Sequence, residues 1–258
     1  MIIESKNILE KYDNKIFYKY LDIDGGIKML DNKTLKFSMP SEFNDPYDIY
    51  EGLLDFNNVN YFGEEVFEKH KNRLNRKQRR IYKSRSNRET ENILRNAVSV
   101  LKNNIGICCL SEINDEILMW SHYSKKHTGI CIGIEIDIKE FAKNKIFFFP
   151  VNYVVKYESK YFGSDKNERD KSLIYWTKTK YLKWKYEKEV RLIDFEYFNH
   201  HKSGLYNIEK SKIKEVYFGT NIDKDKKKKI IKIINSFDTK PAYYQMELKN
   251  DEFSLTRK

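Results

Sequence analysis

Two glutamates and an arginine stand at alternate positions in the segment Trp184-x-x-Glu187-x-Glu189-x-Arg191. In an extended strand such residues share a face, with same-face neighbours roughly 6.5–7 Å apart, while Val190 and Leu192 turn to the core. Two carboxylates and a guanidinium in a row can hold a ribose, a metal or a substrate cation. The same spacing also suits a surface ladder in which Arg191 pairs with Glu189. Upstream, Trp120 and Tyr123 sit three apart on a short helix, as a stacking wall or as core. His122 between them has the chemistry of a general acid–base group, and a lone histidine is as readily a hydrogen-bonded structural one. The turn Phe43-Asn44-Asp45-Pro46-Tyr47-Asp48 reads locally as a helix start, with Asp45 as N-cap, Pro46 at the first helical position and Asn44 in the preceding turn. Its functional reading places Asp45 or Asp48 beside a ligand.

These residues need elements to position them. Residues 16–20 and 34–38 read as strands around a short helix that opens at Gly25 and Gly26. Residues 105–110 form a further strand and 115–124 a helix. The segment 129–136 alternates most cleanly, with Ile130, Ile132, Ile134 and Ile136 on one face and Cys131, Gly133 and Glu135 on the other. A strand over 146–157, bent at Pro150, precedes a helix over 171–184 and the strand 187–195. A strand over 213–219, a helix with Ile230, Ile231, Ile233, Ile234 and Phe237 inward, and a strand over 242–248 complete the chain. The lysines of 226–229 mark the wet side of that helix. Helices and strands mix without strict βαβ alternation, which predicts one α+β domain with a mixed, largely antiparallel sheet and flanking helices.

Between them lies a helical, basic insertion over about residues 60–102. Residues 69–88 hold ten Lys or Arg and no acid. Phe67, Leu74 and Ile81 recur there at heptad spacing, and Ile93, Leu94, Ala97, Val98 and Leu101 make a second apolar stripe. Arg76, Lys77, Arg79 and Arg80 form either a polyanion-binding surface or a solvated helix face.

Composition limits the classes open to the chain. With 258 residues, 40% hydrophobic and 15% aromatic, it can bury one core and is not disordered. The net charge of +11 is compatible with nucleic acid as a partner, although lysine, isoleucine and asparagine are abundant throughout. The apolar runs are too short for a membrane span, and the N-terminus carries no signal-like stretch. Three cysteines, Cys108 and Cys109 adjacent, form neither a disulfide framework nor a zinc pattern and suit a reducing cytoplasm. The absence of phosphate-loop, GxGxxG, HExxH and GxSxG motifs removes the kinase, P-loop ATPase, zincin and α/β-hydrolase readings.

Several motifs occur in a telling order: Tyr18-Lys19-Tyr20, Pro40-x-x-Phe43-Asn44-Asp45-Pro46-x-Asp48, Cys109-Leu110-Ser111, Met119-Trp120-x-x-Tyr123 with Gly129, Trp184-x-x-Glu187-x-Glu189-x-Arg191, and Val216-Tyr217-Phe218-Gly219. In this the chain resembles the bacterial domain-of-unknown-function family numbered 2971 over nearly its whole length. The resemblance implies that Asp45, Trp120, Tyr123, Glu187, Glu189 and Arg191 share one site; it brings no established activity. The outline also resembles that of ADP-ribosyltransferases, with Lys19 or Tyr20 where those have His or Arg. That likeness implies NAD as co-substrate, Tyr18 or Tyr123 stacking on nicotinamide, and Glu189 stabilising an oxocarbenium-like ribose.

Three functions follow as expectations. The first is an NAD-using transferase acting on nucleic acid or protein, in the manner of toxins and phage-defence effectors. The second is a hydrolase or nuclease using Mg or Mn, with Asp45 or Asp48 and the two glutamates as oxygen ligands. The third is a non-catalytic nucleic-acid-binding module.

Overall fold

The computed structural model describes residues 6–56, 68, 71–84, 87–162, 166–200, 203–209 and 212–258. The start of the expected basic arm and Phe67 lie outside them. Eight strands form the main sheet: β1 Lys15–Leu21, β2 Gly106–Ser111, β3 Ile130–Ile136, β4 Phe147–Pro150, β5 Glu189–Asp194, β6 Ile213–Phe218, β7 Ala242–Leu248 and β8 Leu255–Arg257. Their order across the sheet is β8-β7-β6-β3-β1-β2-β5-β4. Neighbours run antiparallel except β6 and β7. That parallel pair needs a crossover, and helix Lys224–Asn235 supplies it, capped by Asp223. The expected α+β architecture with a mixed, mostly antiparallel sheet is what the structure shows.

Strand alternation divides the core. On one face, Phe17, Cys108, Leu110, the four isoleucines of β3, Val190 and Leu192 pack beneath helices Ile23–Asn32, Ile138–Lys143 and Lys224–Asn235. The other face carries two separate clusters. Ile107, Phe149 and Ile193 gather Leu94 and Val98 from helix Asn87–Lys102 and Trp176 from helix Lys166–Lys178. Tyr20, Cys131, Tyr217 and Met246 gather Met119 and Trp120 from helix Ile117–Tyr123. Between these clusters β1 meets β2 at one register position, Tyr18 opposite Ser111. The sheet is therefore loosely closed at this point, and Lys19 Nζ reaches across to donate to the Cys109 carbonyl at 2.9 Å.

Several expected elements are redrawn. Pro150 ends β4, and the rest of the predicted 146–157 strand survives as Asn152–Val154, which pairs with Thr179–Tyr181 instead. The predicted 171–184 helix is Lys166–Lys178; a short strand and the 3-10 helix Leu182–Glu187 follow. No helix starts at Pro46. Asp45 accepts from the Tyr47 amide at 2.9 Å in an Asx turn, and Ile49 takes a left-handed conformation. In the basic arm, helix Arg76–Ser84 leaves Ile81 exposed. On helix Asn87–Lys102 Leu94 and Val98 are buried, while Ile93 and Ala97 face solvent.

Candidate functional site

The sheet register aligns side chains before any loop is considered. Tyr18 faces Ser111, and Ser111 faces Glu189, so all three lie in one row on the face between the two clusters. Cys109 and Arg191 lie in the next row. Glu215 and Gly133 extend the first row beyond Tyr18. A side chain on Gly133 would come within 3.2 Å of Glu215 Oε2, so glycine leaves the lane through which the Tyr18 hydroxyl donates to that oxygen at 3.0 Å.

Glu187 is not on the strand, contrary to the simple alternation. Lys188 has φ +41° and turns the chain between the 3-10 helix and β5. The Glu187 carboxylate still converges on the row, because Ser111 Oγ donates to the Glu187 carbonyl at 2.6 Å and pins the turn. The Glu189 amide donates to the Tyr153 hydroxyl oxygen at 2.8 Å, fixing the strand's start.

Around this row five charged side chains are buried together: Asp48, Lys180, Glu187, Glu189 and Arg191. Arg191 is fully enclosed. Its Nε donates to Glu189 Oε1 at 2.7 Å, Nη2 to Asp48 Oδ2 at 2.8 Å, and Nη1 to the Thr177 carbonyl at 2.7 Å. That last bond satisfies a carbonyl in the final turn of helix Lys166–Lys178. Lys180 Nζ sits among three carboxylates, 2.6 Å from Glu187, 2.8 Å from Glu189 and 3.5 Å from Asp48. The indole of Trp184 lies 5.1 Å from the same ammonium. Tyr123 Oη donates to the free Glu187 oxygen at 2.6 Å.

The two glutamates differ electrostatically. Burial works against ionisation of Glu189, but Arg191 and Lys180 outweigh it and hold the carboxyl well below the usual range. Burial dominates at Glu187 and pushes its carboxyl upward, with Lys180 and the Tyr123 hydrogen bond only partly offsetting it. The Tyr123 phenol is itself raised, first by burial and then by Glu187. Glu189 is thus held as an anion between two cations, whereas burial leaves the Glu187 carboxyl the more easily protonated of the two.

A cavity of about 370 Å³ opens onto this cluster, with Tyr18, Lys19, Tyr20, Asn44, His122 and Tyr123 on its walls beside Asp48, Lys180, Glu187 and Glu189. A second cavity of about 280 Å³ shares Lys180 with it and includes Asp45 and Trp184. Most of the expected substrate residues therefore line one of two adjoining spaces. Two do not. Arg191 lies behind the wall, bonded to its partners, and Trp120 is core: its ring is fully buried against Tyr20 and His127, with Nε1 donating to the Asn114 carbonyl at 2.8 Å. Asp45 and Asp48 part company, one in each cavity. Asp48, Glu187 and Glu189 gather around an ammonium. Among the described residues no group of three or more His, Cys, Asp or Glu is arranged to hold a metal ion. Arg76, Lys77, Arg79 and Arg80 line neither cavity and are exposed on their helix.

Lys180 is the residue that sequence reasoning missed. Lysines at 178, 180, 183, 185 and 188 look alike in the sequence. Only the end of the helix at Lys178 and the pairing of Lys180 with Tyr153 turn this one inward.

Fold and site together define an α+β domain with a charged, ligand-sized cavity where its sheet is loosely closed. Residues 119–192 match the family described as "Protein of unknown function (DUF2971)", which bears out the family resemblance over that stretch; the motifs before residue 119 and after residue 192 lie outside the match. The matched stretch carries Tyr123, Lys180, Glu187, Glu189 and Arg191. No curated protein and no solved structure matches the chain. Among the described residues no helix is long and apolar enough to cross a membrane.

Proposed function

We propose that this protein cleaves the bond between ribose and the cationic ring of NAD and transfers the ADP-ribosyl group to an acceptor on nucleic acid or protein. The observation that carries this reading is the division of labour between two carboxyls on one cavity wall. Glu189 has both oxygens engaged by cations, whereas Glu187 gives one oxygen to Lys180 and accepts from the neutral Tyr123 phenol through the other. Environments that push two neighbouring carboxyls apart mark acid–base assignments.

In this reading the C1′–N1 bond breaks, its electron pair neutralises the pyridinium ring, and nicotinamide leaves. The positive charge then resides on the ribose as an oxocarbenium ion. Ionised Glu187 stabilises that charge, and three buried acids against two buried bases give the cluster one net negative charge. Glu187 next takes the proton from the acceptor O–H or N–H as the acceptor's lone pair bonds to C1′. Glu189 acts through Lys180 and Arg191, holding both in place. Lys19, on the same wall, offers a cation to the diphosphate.

Nicotinamide release is the measurement that tests this reading. Purified protein incubated with NAD and a lysate containing nucleic acid is expected to release nicotinamide. A folded protein that releases none overturns the proposal.

A further inference from the structure

The second cavity has no role in the reaction just described, and its chemistry differs from that of the first. Tyr47, Tyr50 and Tyr157 line it in a row of edge-to-face rings, with centroids 5.4 and 6.0 Å apart. All three are partly or largely open to solvent, at 61%, 38% and 44%. Exposed aromatic faces in a concave setting are a platform for another planar ring. The wall also includes Thr179, which is 2% exposed and whose Oγ1 has no hydrogen-bond partner among the described residues. A buried hydroxyl left unpaired is costly, and a ligand's donor or acceptor would satisfy it. Lys183 Nζ stands 6.0 Å from the ring centroid of Tyr181, another wall residue, and brings positive charge close to that wall. Lys180 lines both cavities, so the two spaces lie against the same side chain.

We infer that the tyrosine-lined cavity binds the adenylate half of a dinucleotide whose ribosyl-pyridinium half occupies the acidic cavity. The inference rests on the NAD reading and adds the second half of its substrate. The purine packs against Tyr47, Tyr50 and Tyr157, Thr179 Oγ1 meets a polar edge, and Lys183 faces the phosphates. The two compartments then do separate work: the tyrosines contribute to binding and the Glu187 cavity to chemistry.

Splitting the substrate tests this. Nicotinamide release by the full chain is measured from NAD and from nicotinamide mononucleotide, which lacks the adenylate, for wild type and for Tyr47→Ala and Tyr157→Ala. Because both side chains are exposed, these variants should fold as wild type does, which circular dichroism verifies. The expected result is a KM for NAD raised about tenfold, the scale of one lost base-stacking contact, with the KM for the mononucleotide unchanged. An equal effect on both substrates, or on neither, overturns the inference. AMP binding, followed by titration calorimetry, gives an arm independent of catalysis. AMP is expected to bind wild type and Glu187→Gln alike and to lose affinity in a Tyr47→Ala/Tyr157→Ala double variant. If no nicotinamide is released yet AMP binding depends on the tyrosines, the reaction falls and the cavity assignment stands. If AMP does not bind wild type, the assignment falls.

Discussion

On the helix Arg76–Ser84, Arg76, Lys77, Arg79 and Arg80 lie open to solvent, whereas Lys180 and Arg191 are buried against three carboxylates. The helix holds more charge and gains less from it. Solvated cations are screened and keep their hydration, so their individual contribution to stability is small. The two buried cations have given up water and are held in place by named partners at 2.6–2.8 Å. Removing one leaves an unpaired charge inside the protein, which is where the large energies lie. Net charge, the most conspicuous feature of the composition, therefore points away from the buried cluster at the cavity wall.

The sharpest way to break this comparison is Arg191→Leu. It strands Asp48 and Glu189 against a single ammonium, and a loss of about 3–5 kcal/mol is expected in denaturant unfolding. A loss no larger than that of a surface substitution would show that the five groups are not one unit. Tyr123→Phe should act on chemistry more than on stability. Its hydrogen bond favours the Glu187 anion, so its removal raises the Glu187 carboxyl further. The ionised form then appears only at higher pH, and the rise of nicotinamide release with pH should move upward by up to about one unit, a free-energy change near 1.4 kcal/mol. An unmoved profile would detach Tyr123 from the reaction. The smallest effect belongs to the basic helix. Replacing Arg76, Lys77, Arg79 and Arg80 with alanine should shift stability by no more than about 0.5 kcal/mol per residue and leave nicotinamide release unchanged. If these side chains hold an acceptor polyanion, retention of an oligonucleotide falls and its salt dependence weakens. Loss of NAD turnover in that variant would place the helix in the site.

How much of this was legible in the sequence varied with the physics involved. Strict alternation made β3 unmistakable, since Ile130, Ile132, Ile134 and Ile136 are all fully buried on one face. The same rule placed Glu189 and Arg191 together. It failed at Glu187, because the left-handed Lys188 breaks the strand and only tertiary hydrogen bonding returns the side chain to the row. Asp48 was expected near a ligand through its turn, but its pairing with Arg191 spans 143 residues of chain, a distance no local pattern reports. Lys180 was hidden among surface lysines. Trp120 and Tyr123 looked equivalent at their spacing; the first fills the core and the second reaches the cavity, a difference set by the sheet beneath their short helix.

The central claim, that Glu187 works on the substrate while Glu189 holds the cluster, is tested most directly by comparing Glu187→Gln and Glu189→Gln in nicotinamide release and thermal unfolding, measured on the same samples. Glu187→Gln is expected to unfold near the wild-type temperature and to release nicotinamide at least about a hundredfold more slowly. Glu189→Gln is expected to unfold at a distinctly lower temperature, because both cations lose their shared anion. A Glu187→Gln protein that releases nicotinamide at the wild-type rate would contradict the account.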